Sequence, residues 1–192
     1  VQAAVEMQFE DGLRRERELF EELVSSDESR ALRYAFFAER EAQKLPDVPK
    51  GSPVKSIKTA AVVGAGTMGG GIAMCFADAG IPVQVLEVSE DALEKGFQRI
   101  RNNYEVSVKR GSLEADEMEA RFALISKATA YEEISEADVV IEAVFEEMGV
   151  KQQVFKEIDR VMKSDALLLT NTSALDIDQI AEATSRPEKV GG

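Results

Sequence analysis

The sequence predicts a doubly wound α/β domain, a parallel sheet with helices on both faces, behind an all-helical preface. Two observations carry this. From Ile57 onward, short β-branched runs alternate with longer amphipathic ones. Strands that alternate with helices must run parallel, because each crossover carries the chain back across a face of the sheet. Before that point the alternation is absent: residues 1–44 have no glycine after Gly12, and the first proline is Pro46.

In the preface, Val5, Phe9, Leu13, Phe20 and Val24 fall near one helical face, with Arg14, Arg15, Glu18 and Glu22 elsewhere. "SSDESRALRYAFFAEREAQKL" starts a second helix, with Ser25 or Ser26 as N-cap and Glu28 three residues after Ser25, as in a capping box. The apolar faces, including Leu32, Phe36 and Phe37, call for a partner surface. "PDVPKGSPVKS", residues 46–56, holds three prolines and a glycine and reads as a linker between a helical segment (1–45) and the α/β domain (57–192).

"IKTAAVV" (57–63) reads as a buried first strand, and "TMGGGIAMCFADAG" as a helix opened by glycine and closed near Gly80. "PVQVLEV" (82–88) is a second strand, after which Ser89 and Asp91 begin a helical stretch broken at "RGS" into two helices. "LISKATA", "ADVVIEAV" (137–144) and "DALLLTNTS" (165–173) supply strands three to five. The helix "GVKQQVFKEIDRVMK" turns Val150, Val154, Phe155, Ile158 and Val161 inward. The sheet is expected to stop after strand five, leaving an unpaired edge through which the chain self-associates or that it covers in some other way.

Acidic residues outnumber basic ones, 36 to 23, giving a net charge of −13. Such a surface argues against nucleic acid or an anionic membrane as the main partner. No apolar run approaches the roughly 20 residues that span a bilayer, and Cys75 is the only cysteine. A disulfide or cysteine metal cluster within the chain is therefore ruled out, no metal site is expected, and a cytoplasmic location fits. There is no histidine. Any catalysis must find its general base elsewhere.

Gly64, Gly66 and Gly69 form G-x-G-x-x-G directly after the first strand and at the opening of a helix, together with Thr67 and Met68. Backbone N–H groups and the helix dipole would face a bound pyrophosphate there. Glu87, 23 residues past Gly64 and at the end of strand two, is placed to accept hydrogen bonds from adenosine ribose hydroxyls. A carboxylate there repels a 2′-phosphate, and no arginine follows until Arg99, so NAD is favoured over NADP.

Ligands of open parallel sheets sit at the carboxyl edge, which makes Glu146 and Lys151, after strand four, candidates for the nicotinamide end of the cofactor. Glu146 and Glu147 also suit an acidic helix start. "TNTSA" (170–174) ends strand five with polar side chains fit either for a ligand or for a helix cap, and no local base activates Ser173 as a nucleophile.

"VVGAGTMGGGIA", "ADVVIEAVFEEMGVKQQVFKEID", "LLLTNTSAL" and "RPEKVGG", in that order, resemble the Rossmann-type NAD-binding domain of the 3-hydroxyacyl-CoA dehydrogenases of fatty acid β-oxidation. The preface "GLRRERELFEELVSSDESRALRYAFFAERE" resembles the closing helices of a crotonase-type enoyl-CoA hydratase/isomerase domain. The resemblance implies a piece of a bifunctional or multifunctional enzyme that oxidises (S)-3-hydroxyacyl-CoA to the 3-ketoacyl-CoA. It implies NAD contacts at Gly64, Gly66, Thr67, Met68, Gly69, Glu87, Ala143, Val144, Phe145, Glu146, Lys151 and Asn171, with Ser173 orienting the acyl-CoA substrate. Glu87 stands where many members have aspartate. The family's catalytic histidine would follow the stretch that resembles "RPEKVGG", so the 192 residues are expected to be inactive. The competing expectations are a non-catalytic NAD-sensing or interaction module and a dehydrogenase of free 3-hydroxy acids.

Overall fold

The computed structural model describes residues 5–42, 44, 49 and 51–192. It divides into two compact units, 1–54 and 55–192. Of the segment expected to form the linker, Pro46, Asp47, Val48 and Lys50 lie outside the described residues.

The first unit contains α1 (Phe9–Val24) and α2 (Asp27–Ala42). The break falls at Ser25 and Ser26, and Ser26 is the cap: its Oγ accepts from the Ser29 N–H at 3.1 Å. The capping box expected from Ser25 and Glu28 does not form, because the third residue after Ser26 is a serine. Arg33 closes the end of α1, donating to the Val24 carbonyl at 2.9 Å. Neither helix has a buried residue, so the apolar faces carrying Phe9, Phe20, Leu32 and Phe37 stay exposed.

The second unit is built on β1 (Ala60–Val63), β2 (Val83–Leu86), β3 (Ile125–Ala128), β4 (Val139–Glu142), β5 (Leu167–Thr170) and β6 (Val190–Gly191), all parallel, in the order β3-β2-β1-β4-β5-β6. On one face lie α3 (Thr67–Asp78), α4 (Glu90–Lys109) and α5 (Ala115–Phe122); on the other lie α6 (Met148–Val161) and α7 (Ile177–Ala181). Alternation along the strands divides the core between those faces. Ala60, Val62, Val83 and Val85 pack with Phe97, Ile100 and Tyr104, whereas Ala61, Val63, Val140 and Leu168 pack with Phe155, Ile158 and Ile180. All four residues of β1 are buried, as a central parallel strand requires.

Two expectations are corrected. The first strand begins at Ala60, because the N–H groups of Lys58 and Thr59 donate to the Asp138 carboxylate, at 2.7 and 3.2 Å, in place of a neighbouring strand. Those donors and the Lys163 ammonium, 2.5 Å away, hold the Asp138 carboxyl well below its usual range. The sheet, expected to stop after strand five, has a sixth strand, β6, which covers the β5 edge by pairing Val190 with Leu168 and Gly191 with Leu169. Arg186 sets up that strand by clasping the end of α6. It donates to Asp159 Oδ1 at 2.6 Å and to the carbonyls of Lys163 and Asp159 at 2.6 and 2.7 Å.

Candidate functional site

In the strand order, the chain runs outward from β1 through β2 to β3 and then returns to β4 on the other side, so a crevice opens at the carboxyl ends of β1 and β4. The glycine loop fills its inner end. Gly64 has φ of +105°, and a Cβ there would stand 2.8 Å from the Ala143 carbonyl oxygen. A Cβ on Gly69 would stand 1.9 Å from the Gly64 carbonyl oxygen, so the first turn of α3 rests directly on the loop. At Gly66, by contrast, a Cβ would meet nothing within 4 Å. Two glycines thus serve the fold, and the third leaves the mouth of the crevice open.

Gly66 is also the N-cap of α3 and carries no side chain to satisfy the helix's first N–H groups. Those donors and the positive end of the helix dipole suit an anion, as a pyrophosphate would supply. Glu87 lies beside the loop, its Oε2 accepting from the Ala65 N–H at 3.3 Å and its Oε1 from the Ser89 N–H at 3.5 Å. The cavity, about 500 Å³, is lined by Gly64, Gly66, Thr67, Met68, Glu87, Ala143, Val144 and Phe145, all among the residues named from the sequence; Gly69 is not in the lining. Leu86, Val88, Tyr131, Val150 and Val154 complete an apolar wall. Sequence reasoning missed Tyr131 and Val88; their signal was position, just past the carboxyl ends of β3 and β2. Burial pushes the Tyr131 phenol above its usual range.

The cleft therefore fits a dinucleotide: an anion-binding helix start, a carboxylate for ribose hydroxyls and an apolar slot for a flat ring.

Beyond Phe145 the carboxyl edge is polar and tightly connected. Glu142, the last residue of β4, and Lys151, on α6, are both fully buried, with Lys151 Nζ 2.8 and 3.0 Å from the two oxygens of Glu142. Thr170 Oγ1 donates to Glu142 Oε2 at 2.8 Å, and the Val144 N–H donates to Oε1 at 2.7 Å. The same ammonium lies 3.3 Å from Glu146 Oε2. Glu146 Oε1 in turn accepts from Thr172 Oγ1 at 2.6 Å and from the Ser173 N–H at 2.9 Å, with Ser173 Oγ 3.5 Å away. The bonds from Thr172 and Ser173, assisted by Lys151, hold the Glu146 carboxyl down at about 2. It stays ionised at any ordinary pH.

The structure thus brings Glu146 and Ser173 together, beside the cleft, as two of the expected residues. Lys151 does not line the cleft; it is enclosed beneath the edge, where its charge joins Glu142 to Glu146. Asn171 is also absent from the lining, and its N–H donates to the Glu142 carbonyl at 2.8 Å. Glu142 was not anticipated, since a strand-end glutamate shows no partner in the sequence.

Residues 59–192 match the family model for the 3-hydroxyacyl-CoA dehydrogenase NAD-binding domain. The chain belongs to the 3-hydroxyacyl-CoA dehydrogenase family. It is 41% identical over 197 residues to the peroxisomal bifunctional enzyme of Homo sapiens, covering 100% of this chain and 27% of that protein. It is 37% identical over 182 residues to the peroxisomal fatty acid beta-oxidation multifunctional protein AIM1 of Arabidopsis thaliana, covering 94% and 25%. The chain spans about a quarter of the length of the curated relatives it matches. Among solved structures, M. tuberculosis FadB2 superposes with a TM-score of 0.70 at 39% identity, over 71% of this chain and 48% of that one. The 3-hydroxybutyryl-CoA dehydrogenase of Escherichia coli gives 0.69 at 35% identity, over 71% and 29%. The cofactor of a 3-hydroxyacyl-CoA dehydrogenase domain of this kind is NAD. No described helix is long and apolar enough to cross a membrane.

Proposed function

We propose that the chain is the cofactor-holding part of an enzyme that oxidises (S)-3-hydroxyacyl-CoA to 3-ketoacyl-CoA with NAD, in fatty acid β-oxidation. The observation that carries this reading is the juxtaposition of Glu146 with Thr172 and Ser173, next to Phe145 in the cleft wall. Bound NAD would take hydride from the substrate carbon. The loop of Gly64, Gly66, Thr67, Met68 and Gly69 holds its phosphates, Glu87 its adenosine ribose, and Ala143, Val144 and Phe145 the wall toward the nicotinamide. Ser173 offers its hydroxyl to the reacting oxygen of the acyl-CoA, and the Glu146 carboxylate fixes the backbone that carries it. Lys151 acts through Glu142 and Glu146 and does not touch the cofactor itself. Asn171 serves the same edge through its backbone bond to Glu142.

We assign residues 1–45 to the end of a crotonase-type hydratase domain, in keeping with names such as bifunctional enzyme among the relatives. The lone cysteine supports a reducing, cytoplasmic setting, although several relatives are named peroxisomal. The 192 residues hold no histidine, so under this reading the base that takes the hydroxyl proton lies outside them. General-base catalysis contributes about 10²- to 10⁴-fold in rate. The 192-residue polypeptide is therefore expected to bind NAD yet form no NADH from 3-hydroxybutyryl-CoA above background. Turnover at the rate of an intact dehydrogenase would overturn this. In the longer parent protein, activity on free 3-hydroxy acids without activity on the CoA ester would overturn the substrate class.

A further inference from the structure

The sequence places Arg99 12 residues past Glu87, and the fold brings the two back together. They flank one residue of the glycine loop: the Ala65 N–H faces Glu87 Oε2 at 3.3 Å, and the Ala65 carbonyl faces Arg99 Nη1 at 3.5 Å. Those two contacts, joined by the span of a single residue, put the opposite charges within about 10 Å of each other. Arg99 makes no ion pair among the described residues, and its side chain is exposed. Its approach to the loop is built in. One turn earlier on α4, Gly96 runs so close that a Cβ there would stand 2.6 Å from the Ala65 oxygen and 2.7 Å from its Cβ. Only a glycine lets α4 pass there and lay the next turn's arginine against the loop.

Arg99 is not among the residues that line the cleft, and an unphosphorylated ribose offers it no anion to pair with. A phosphate on the 2′ position of the adenosine ribose would need it, because guanidinium pairs with phosphate through two parallel N–H···O bonds. Glu87 stands where that phosphate would go and repels it. We propose that Arg99 is a specificity-determining residue at the adenosine end of the cleft, a 2′-phosphate contact kept idle by the Glu87 carboxylate. The proposal rests on the reading that the adenosine ribose lies at Glu87. Choice between the two dinucleotides then turns on one negative charge, with the positive partner already in place.

The test is calorimetric titration of the 192-residue chain with NAD and with NADP, at fixed low salt, for the wild type, Glu87→Ser, Arg99→Ala and the double variant. All of these positions are near the surface, and circular dichroism verifies that each variant is folded. The wild type is expected to prefer NAD, and Glu87→Ser to gain at least about tenfold in NADP affinity, the scale of one charge-assisted contact. Adding Arg99→Ala to Glu87→Ser should remove that gain while changing NAD affinity less than about threefold. Equal NADP affinity in Glu87→Ser and the double variant would overturn the proposal, as would no gain in Glu87→Ser. Failure of the wild type to bind either dinucleotide would overturn the underlying cofactor reading as well, which separates the two outcomes.

Discussion

Lys151→Met is expected to lower the stability of the α/β unit by about 3–5 kcal/mol, the usual cost of leaving one member of a buried ion pair alone. Both partners are fully enclosed, and the ammonium is the only cation against the Glu142 carboxylate among the described residues. Thr170 Oγ1 and the Val144 N–H would still donate to Glu142, but two neutral donors do not cancel its charge. The loss should appear as a fall in Tm of more than about 10 °C. Adding Glu142→Gln should recover part of it, because the stranded charge is then gone. A single variant within about 1 kcal/mol of the wild type would show that water reaches the pair.

Gly69→Ala is expected to cost about 3 kcal/mol, at the upper end for forcing extra volume into a packed site. The new Cβ would fall 1.9 Å from the Gly64 carbonyl oxygen, which is main chain and has no rotamer by which to move away. Gly64 itself is held at φ +105° against the Ala143 carbonyl, so the strain passes into the joint between β1 and β4. Gly71→Ala is the control two residues along the same helix. Nothing lies within 4 Å of its Cβ position, and the exchange should stabilise α3 by about 0.5–1 kcal/mol. Urea unfolding of both variants checks the pair of expectations; equal midpoints would refute the close approach.

The parallel sheet was legible because its strands are short β-branched runs set between amphipathic ones, a pattern local to each segment. The glycine loop and Glu87 were legible for the same reason: their spacing along the chain is the signal. What escaped depends on contacts between distant segments. β6 is a two-residue strand containing a glycine, with too little sequence to show periodicity, and only its pairing with Leu168 and Leu169 defines it. Lys151 carried a signal that its charge hid. It lies four residues before Phe155 and seven before Ile158, on the buried stripe of α6, so it had to be enclosed with a partner. That the partner is Glu142 depends on how α6 seats against the end of β4. Arg99 was set aside for its distance in sequence from Glu87, and α4 cancels that distance by passing against Ala65.

The division of labour among the three motif glycines ties the fold to the cofactor. Gly64 and Gly69 face main chain, and Gly66 faces open space that a dinucleotide phosphate would occupy. NAD titration of Gly66→Val against the wild type tests this directly, with thermal unfolding recorded on the same samples. The expected result is a Tm no more than about 4 °C below the wild type, because the Cβ position is open and the main cost is a poorer N-cap, and NAD affinity weakened by at least about a hundredfold, the scale of about 2.7 kcal/mol. Unchanged NAD affinity in a folded Gly66→Val protein would contradict it.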